Sequence, residues 1–392
     1  MPFEIAVLVF ILSAAGVILV FLLNPLLSLL AVLIKGKKTV KTSSIYPPVS
    51  LITVVHNAQN LILDKIKNSL SLDYPSERFE FVIFSDGSTD DTESKIKNLG
   101  NGEIRLLSNP VHEGKNSGIN SAVQHCNGEI IVFSDAGAMI DKDGIKNLVK
   151  YFADPDIGGV CGELVIVKDK TRFSEAQSDY WRFDRTIRIL ESQAGSISSN
   201  TGTLYAIRRE LFNPLPPAVT DDLYNCLSVV KQNYRFIFVP DARSFTQARS
   251  IGPAHEVGRR RRIVNGSLRS ICLMRELLNP FKFGIFSINL LNRNVIRRLL
   301  PVCLIMMFTS NLYLSFYSPW YKAMFLLQVA FYLSALFYGT LFQKASAFGG
   351  AARIAALAYY FCIGNYGTLL GLMDFITGKQ FVKWTSVRIN GK

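Results

Sequence analysis

The sequence predicts an α/β domain on an open, mostly parallel sheet, carried between N-terminal and C-terminal transmembrane helices. Short β-rich runs alternate with helical patterns inside residues 42–277. Residues 2–34 form an apolar stretch whose only charge is Glu4, and from Leu299 onward the only acidic residue is Asp374. At 392 residues the chain has room for about two domains. Its 49% hydrophobic content and mean hydropathy of +0.23 exclude a mainly disordered protein and argue against a purely soluble one. Charged residues are 19%, below the ~25% usual for soluble domains. Lys and Arg number 43 against 30 Asp and Glu, and the resulting charge of +13 suits a phosphate-bearing partner or an anionic membrane surface. Six scattered cysteines without CxxC or zinc spacing read as thiols in a reducing compartment.

The opening apolar stretch is too long for a signal-peptide core and lacks a basic start, and Lys35, Lys37, Lys38 and Lys41 follow at once. This predicts a transmembrane helix held inside at its C-terminal end, kinked at Asn24-Pro25; a cleaved leader is the weaker alternative. Apolar blocks near 299–317, 321–342 and 351–375 predict further crossings. Arg293, Arg297 and Arg298 precede the first, and Lys344 and Arg353 separate the last two, which places those turns on the cytoplasmic side. One helix plus three puts the C-terminus outside, whereas Lys379, Lys383, Arg388 and Lys392 favour inside, so the two signals conflict. Residues 280–291 (PFKFGIFSINLL) suit a helix in the membrane interface or a core helix. The expected organisation is 1–41, a transmembrane helix with basic flank; 42–277, a cytosolic domain; 278–298, an interfacial helix; and 299–392, a C-terminal transmembrane region with a basic tail.

Within 42–277, residues 49–55 (VSLITVV), 79–84 (FEFVIF) and 130–133 (IIVF) are nearly continuous in apolar residues, as parallel strands covered on both faces require. Helical patterns at 60–72 and 91–99 separate the first strands. In such sheets ligands bind at the carboxyl ends of the strands. Those ends are polar here: His56-Asn57-Ala58-Gln59, Ser85-Asp86-Gly87-Ser88-Thr89-Asp90-Asp91, and Ser134-Asp135-Ala136-Gly137. An Asp next to Gly at a strand end puts a carboxylate on a tight turn, where it can accept hydrogen bonds from a base or sugar or hold a hard cation. A single such Asp is more often a helix cap. Two from one sheet, joined by the Gly114-Lys115 turn, reverse that preference. Gly114-Lys115-Asn116-Ser117 is no Walker loop, since position 109 is Asn, and no GxGxxG opens a helix. A nucleic-acid binder rests on charge alone, so no nucleic-acid partner is expected.

These residues resemble the membrane-anchored family 2 glycosyltransferases, the group of cellulose, chitin and hyaluronan synthases and many bacterial exopolysaccharide enzymes. The resemblance covers about 45–275 and implies a GT-A-type fold. Residues 48–57 look like the family's opening strand and turn, with His56 and Asn57 as nucleotide contacts. The string Ser85-Asp86-Gly87-Ser88-Thr89-Asp90-Asp91-Thr92 matches the Asp-Gly-Ser-Thr-Asp signature, which implies that Asp86, with Gly87 and Ser88, binds the uracil end of a donor. Lys115 and Asn120 match the Gly-Lys…Leu-Asn segment, and Asp135 the first carboxylate of the metal motif, whose second place is taken by Gly137. Asp135 is therefore the metal ligand, for Mg²⁺ or Mn²⁺, with Asp141 as helper. Tyr180, Trp181, Glu191-Ser192 and Gly202 resemble acceptor-side segments, and Thr220-Asp221-Asp222 resembles the Thr-Glu-Asp motif whose last carboxylate acts as base. The run 259–262 falls where processive enzymes carry Gln-x-x-Arg-Trp; Arg262 matches, while Arg259 replaces Gln and Ile263 replaces Trp. Trp384 is similar to a closing aromatic of relatives.

What the resemblance implies is an inverting transferase, hexosyl or N-acetylhexosaminyl, at the bacterial inner membrane with its catalytic domain in the cytoplasm. It would move sugar from a UDP-linked donor to a growing glycan or lipid-linked acceptor, in surface polysaccharide synthesis. Asp222, with Asp221 beside it, would deprotonate the acceptor; the cation on Asp135 and the arginines 259–262 would stabilise the departing diphosphate. The arginines alternatively form a solvated or lipid-facing run, the Asp pair a helix cap, and Tyr180-Trp181 core packing. The rival of a different class is a catalytically idle nucleotide-sugar-binding module with a degenerate metal motif.

Overall fold

The computed structural model describes residues 2–99, 102–167, 172–247, 253–342 and 349–383, with backbone alone for 172–180, 341–342 and 349–353. Among the described residues eight strands form one sheet: β1 (Val49–Val55), β2 (Phe79–Asp86), β3 (Ile104–Asn109), β4 (Ile130–Phe133), β5 (Met139–Ile140), β6 (Ile157–Val167), β7 (Tyr205–Arg208) and β8 (Arg235–Gln247). Their order is β3-β2-β1-β4-β7-β6-β8-β5. The half around β3, β2, β1 and β4 is parallel; β7 runs antiparallel between β4 and β6, and β8 returns parallel to β6.

Alternation explains why the apolar runs of β1, β2 and β4 lack a polar face. Successive side chains leave a strand on opposite sides. Leu51, Phe81, Ile83, Ile130 and Val132 enter one apolar core, and Ile52, Val54, Val82, Phe84, Ile131 and Phe133 enter the other. Both faces are covered, so every residue of β1 is buried.

The first strand, the second apart from its two extra residues, and the fourth fall where the apolar runs place them. The helices Ile62–Leu70 and Thr92–Asn98 sit inside the predicted spans. Among the described residues four helices are long and apolar enough to cross a membrane: Phe3–Lys35, Ile285–Leu314, Pro319–Thr340 and Ile354–Ile376. The first runs through Pro25 as one helix. Leu12, Leu22, Leu33, Leu327 and Leu336 stand exposed on these helices, an apolar surface beyond what a water-facing protein leaves open.

The segment expected at the interface has two sides. Phe281 is fully exposed, whereas Phe286 and Leu290 enter the core of the sheet domain. Its helix Ile285–Asn294 also meets the first apolar helix, where Asn289 Nδ2 donates to Ser28 Oγ at 3.0 Å.

The last apolar helix lies along the helix Pro253–Leu273 through glycines. A Cβ on Gly371 would stand 2.6 Å from Arg261 O, and one on Gly367 3.0 Å from Val257 O. Asp374, the sole acid of the C-terminal region, pairs with Arg261 across this contact. The tail beyond it then crosses to the sheet: a Cβ on Gly114 would meet Val382 O at 2.4 Å.

Candidate active site

A cleft of about 1530 Å³ opens at the carboxyl ends of β1 and β4. His56, Asn57, Lys115, Asp135, Trp181, Gly202, Asp221, Asp222, Arg259 and Arg262 all line it. Side chains from 56 to 262 in the chain thus line one cleft. Asp86, Gly87 and Ser88 do not line it. Asp86 is fully buried, with Oδ1 accepting from Glu113 N at 2.8 Å and Oδ2 from Gly114 N at 2.8 Å and facing His112 Nδ1 at 2.7 Å. The expected base-contacting carboxylate instead holds the 112–114 turn from beneath, because its oxygens are engaged by the backbone there. The side chain of Tyr180 and the whole of Trp384 lie outside the described residues.

The turns after β1 and β2 are knitted to each other. His56 stacks on His112 with ring centroids 3.9 Å apart, and its Nδ1 lies 2.8 Å from Asp86 O. Asn57, at φ +50°, accepts Thr89 N at 2.8 Å through its side chain while its own N–H donates to Ser88 Oγ at 3.1 Å. Asn is among the few residues that adopt such a φ readily. Gly87, at φ +62°, is required by space as well: a Cβ there would stand 2.3 Å from His112 N. Gly87→Ala is expected to lower stability by roughly 2 kcal/mol or more, read as a drop in the thermal midpoint of the detergent-solubilised protein.

Lys115 is the centre of the site. It follows Gly114 as the first residue of the helix Lys115–Gln124, which lies so close to the sheet that a Cβ on Gly118 would meet Val54 Cγ1 at 2.8 Å. Its Nζ lies 2.9 Å from Asp135 Oδ1 and 2.9 Å from Asp221 Oδ2. Burial opposes the charge on Lys115, but Asp135 and Asp221 outweigh it and hold the ammonium above the ordinary lysine range. Gly202 borders this bridge; a Cβ there would lie 3.6 Å from both Asp135 Oδ2 and Lys115 Nζ. Under Asp135 sits Lys65, fully buried, donating to Ser134 Oγ and Ala138 O, each at 2.7 Å. Desolvation pushes Lys65 down to about 7.

Asp221 and Asp222 open the helix Asp221–Lys231, whose N-cap is Thr220. The Asp pair therefore does not serve as the cap. Asn116 Nδ2 donates to Pro216 O at 2.9 Å and Val219 O at 3.1 Å, fixing the loop before this helix beside Lys115. Asp222 is half-buried; Oδ1 accepts Leu223 N at 2.7 Å. Desolvation first, and the neighbouring Asp221 second, push its carboxyl up to about 7.

The arginine run divides among different partners. Arg259 and Arg260 both pair with Glu256, at 2.9 and 2.7 Å. Arg260 also donates to Tyr360 OH at 2.7 Å, and Arg261 pairs with Asp374. Arg262 is the member that feels Asp135 and Asp221, and burial lowers its pKa. The four-arginine cluster expected at a diphosphate is thus corrected: helical spacing turns Arg261 out of the cleft, and the last helix claims it.

The residues fit a divalent cation only in part. Among the described residues no group of three His, Cys, Asp or Glu side chains converges. Asp135 is 45% exposed at the cleft, and Gly137 offers no second carboxylate. Asp141 accepts Lys142 N and does not line the cleft. One carboxylate suits a cation that arrives with a diphosphate, since Mg²⁺ commonly binds through one or two carboxylates and substrate phosphates.

Sequence reasoning named Trp181 and Glu191 but missed the buried ion-pair network that joins Glu191 to the cleft-lining Asp184, Arg188 and Arg293. Glu191 is buried and accepts Asn24 Nδ2 at 2.9 Å, Ser198 N at 3.0 Å and Arg293 Nη1 at 3.1 Å. Arg293 also pairs with Asp184, and Arg188 Nε lies 2.7 Å from Asp184 Oδ2. The guanidinium of Arg188 lies 5.8 Å from the centroid of the Trp181 ring. The available signal was Asn24, a polar residue inside an apolar helix.

Residues 50–215 match the family model described as Glycosyl transferase family 2. A β-monoglucosyldiacylglycerol synthase of Synechocystis sp. is 26% identical over 187 residues, 45% of this chain and 39% of that protein. An N-acetylglucosaminyltransferase of Azorhizobium caulinodans is 24% identical, over 50% of this chain and 54% of that one. The chain thus spans about half or less of the length of these curated relatives. A mannosyltransferase from Pyrobaculum calidifontis, solved with GDP-Man and Mn²⁺, superposes with a TM-score of 0.73 at 22% identity, covering 95% of this chain and 99% of that one. The sheet domain has a GT-A-type α/β fold, and the match to the family 2 glycosyltransferase model is confined to residues 50–215.

Proposed function

We propose that the chain is an inverting glycosyltransferase that moves a hexose or N-acetylhexosamine from a nucleoside diphosphate donor, UDP-linked, to a growing glycan or lipid-linked acceptor at a membrane. The observation that carries this reading is the shared cleft of Asp222, pushed up to about 7, with Asp135, Lys115 and Arg262. A carboxyl near neutrality can take a proton from an attacking hydroxyl. Lys115 and Arg262 supply fixed positive charge where a departing diphosphate becomes more negative. A divalent cation held at Asp135 would add to that neutralisation when bound. Attack opposite the leaving group inverts the anomeric carbon, so an α-linked donor yields a β-linkage. The relatives named above are lipid glucosyl- and N-acetylglucosaminyltransferases, which supports this general chemistry.

The idle-module reading draws on Gly137 and on the Lys115 bridge between Asp135 and Asp221. One assay decides between them. Membranes holding the protein are incubated with labelled UDP- and GDP-sugars, with and without EDTA, beside Asp135→Asn. Nucleotide release from one donor, reduced at least tenfold by EDTA and by the substitution, is expected. Release from none of them would favour the idle module, and release indifferent to both treatments would remove the cation from Asp135.

A further inference from the structure

We infer that Lys65 is a positioning residue for the diphosphate end of the donor, bracing from beneath the turn that carries Asp135; this rests on the transferase reading above. Lys65 lies on the helix Ile62–Leu70, whose buried face is Ile62, Lys65, Ile66 and Ser69. Ile62 and Ile66 enter the apolar core, so packing alone asks for another apolar side chain at position 65. Lysine is almost never fully buried unless its amine is partnered, and ordering its long stem costs conformational entropy. Among the described residues Lys65 is the one lysine that is buried. A lysine at this place needs a polar task.

What the amine holds defines that task. The turn 134–138 joins β4 to β5 and presents Asp135, Ala136, Gly137 and Ala138 to the cleft. The side chains of its last three residues are a methyl, a hydrogen and a methyl, so they give the turn no polar anchor. Lys65 Nζ spans it instead, donating to Ser134 Oγ at its start and Ala138 O at its end, each at 2.7 Å. Ser134 Oγ donates in turn to Thr203 O at 2.9 Å, which ties the brace to the 202–203 segment. Between the two anchors Ala138 N donates to Asp135 O at 3.0 Å. The Asp135 carboxylate meets Lys115 Nζ at 2.9 Å, so the brace also sets where the Lys115 bridge ends. Asn68, three residues on, holds the next strand: Nδ2 donates to Ile140 O at 2.8 Å and Oδ1 accepts Ile140 N at 2.7 Å. The helix therefore has two separate grips, and that of Lys65 is the one on the Asp135 turn.

A single carboxylate that serves a cation and a diphosphate must be held in place by its supporting shell, because no second acid at position 137 shares the load. With the amine removed, Ser134 Oγ and Ala138 O lose a donor in a buried place, and the turn relaxes toward the cleft to recover one from water. Asp135 moves with it. The loss falls on binding at Asp135 and leaves the rest of the donor's contacts intact.

The test is calorimetric titration of the full-length solubilised protein with UDP and GDP in the presence of Mn²⁺, beside its thermal midpoint. Lys65→Met keeps the stem, removes the donors and is expected to weaken nucleotide binding about tenfold or more. Lys65→Gln, one bond shorter but still an N–H donor, should fall between Lys65→Met and the parent. Asn68→Ala, which releases the neighbouring grip, should lower the thermal midpoint yet leave affinity within about twofold. On an Asp135→Asn background, Lys65→Met should add less than about twofold, since the brace acts through that carboxylate. Ser134→Ala removes one anchor, should weaken binding about threefold, and carries the test if Lys65→Met does not fold. Equal weakening by Asn68→Ala, or losses that multiply on the Asp135→Asn background, would reduce Lys65 to a structural brace and overturn the inference. Parent binding that Lys65→Met leaves within about twofold strikes this inference alone. Binding without turnover of any sugar donor strikes the transferase reading alone, and a parent that binds neither nucleotide strikes both.

Discussion

Asp222→Asn is expected to lower sugar transfer by about 10²–10⁴-fold, the range for removing a positioned general base. The amide keeps the shape of the carboxyl and its contact with Leu223 N but cannot take the proton. In the unsubstituted protein the rate should fall as pH drops through about 7, where Asp222 becomes protonated, and the residual activity of the variant should lack that limb. The same substitution should stabilise the fold. A carboxyl raised from 3.8 to about 7 is protonated in the folded chain and ionised in the unfolded chain between those values, so its contribution to stability is lost as pH rises. Asn carries no such liability. The variant should therefore melt higher than its parent, with a margin that widens from pH 4 to pH 7. A variant that loses activity together with stability would mean that Asp222 holds structure and does no chemistry. Activity that survives at full rate would remove the base assignment.

Three strands of the parallel half, β1, β2 and β4, were legible because burial on both faces writes an uninterrupted apolar run. Strands β3, β5, β6, β7 and β8 were not read. Gly158 and Gly159 in β6 weaken its strand signal, yet both face close neighbours; a Cβ on Gly159 would meet Phe236 Cδ2 at 2.3 Å. The convergence of Lys115, Asp135, Asp221 and Asp222 was legible from their positions at strand and helix ends. The inward burial of Asp86 was not, since the 112–114 turn that surrounds it has no pattern of its own in the sequence. Nor was the division of 259–262 legible, because it depends on which helix packs alongside. Asp374 carried that information as the one acid in an apolar region, and its partner Arg261 became identifiable only in three dimensions.

Arg293→Leu should be the most destabilising single change outside the sheet. Arg293 is 6% exposed and ties Asp184 and Glu191, on the helix Arg172–Ala194, to the helix Ile285–Asn294. Glu191 in turn accepts Asn24 Nδ2 from the first apolar helix at 2.9 Å, so one buried network joins the sheet domain to two helical elements. Burial opposes the charge on Asp184, and Arg188 and Arg293 outweigh it to hold its carboxyl below the usual range. Removing the guanidinium leaves buried carboxylates with too little positive charge, at a cost of about 3–5 kcal/mol. That corresponds to a drop of roughly 5–10 °C in the thermal midpoint of the solubilised protein. Arg293→Lys keeps the charge but not the fork that reaches both acids, and should fall between the two. Arg293→Leu/Glu191→Leu removes an unpaired acid along with the base and should melt above Arg293→Leu alone, because an apolar pair in a packed site costs less than a lone buried charge. Additive losses in the double variant would show that the ion pair does not couple these helices. Recovery would locate the coupling at Glu191, the carboxylate that also grips Asn24.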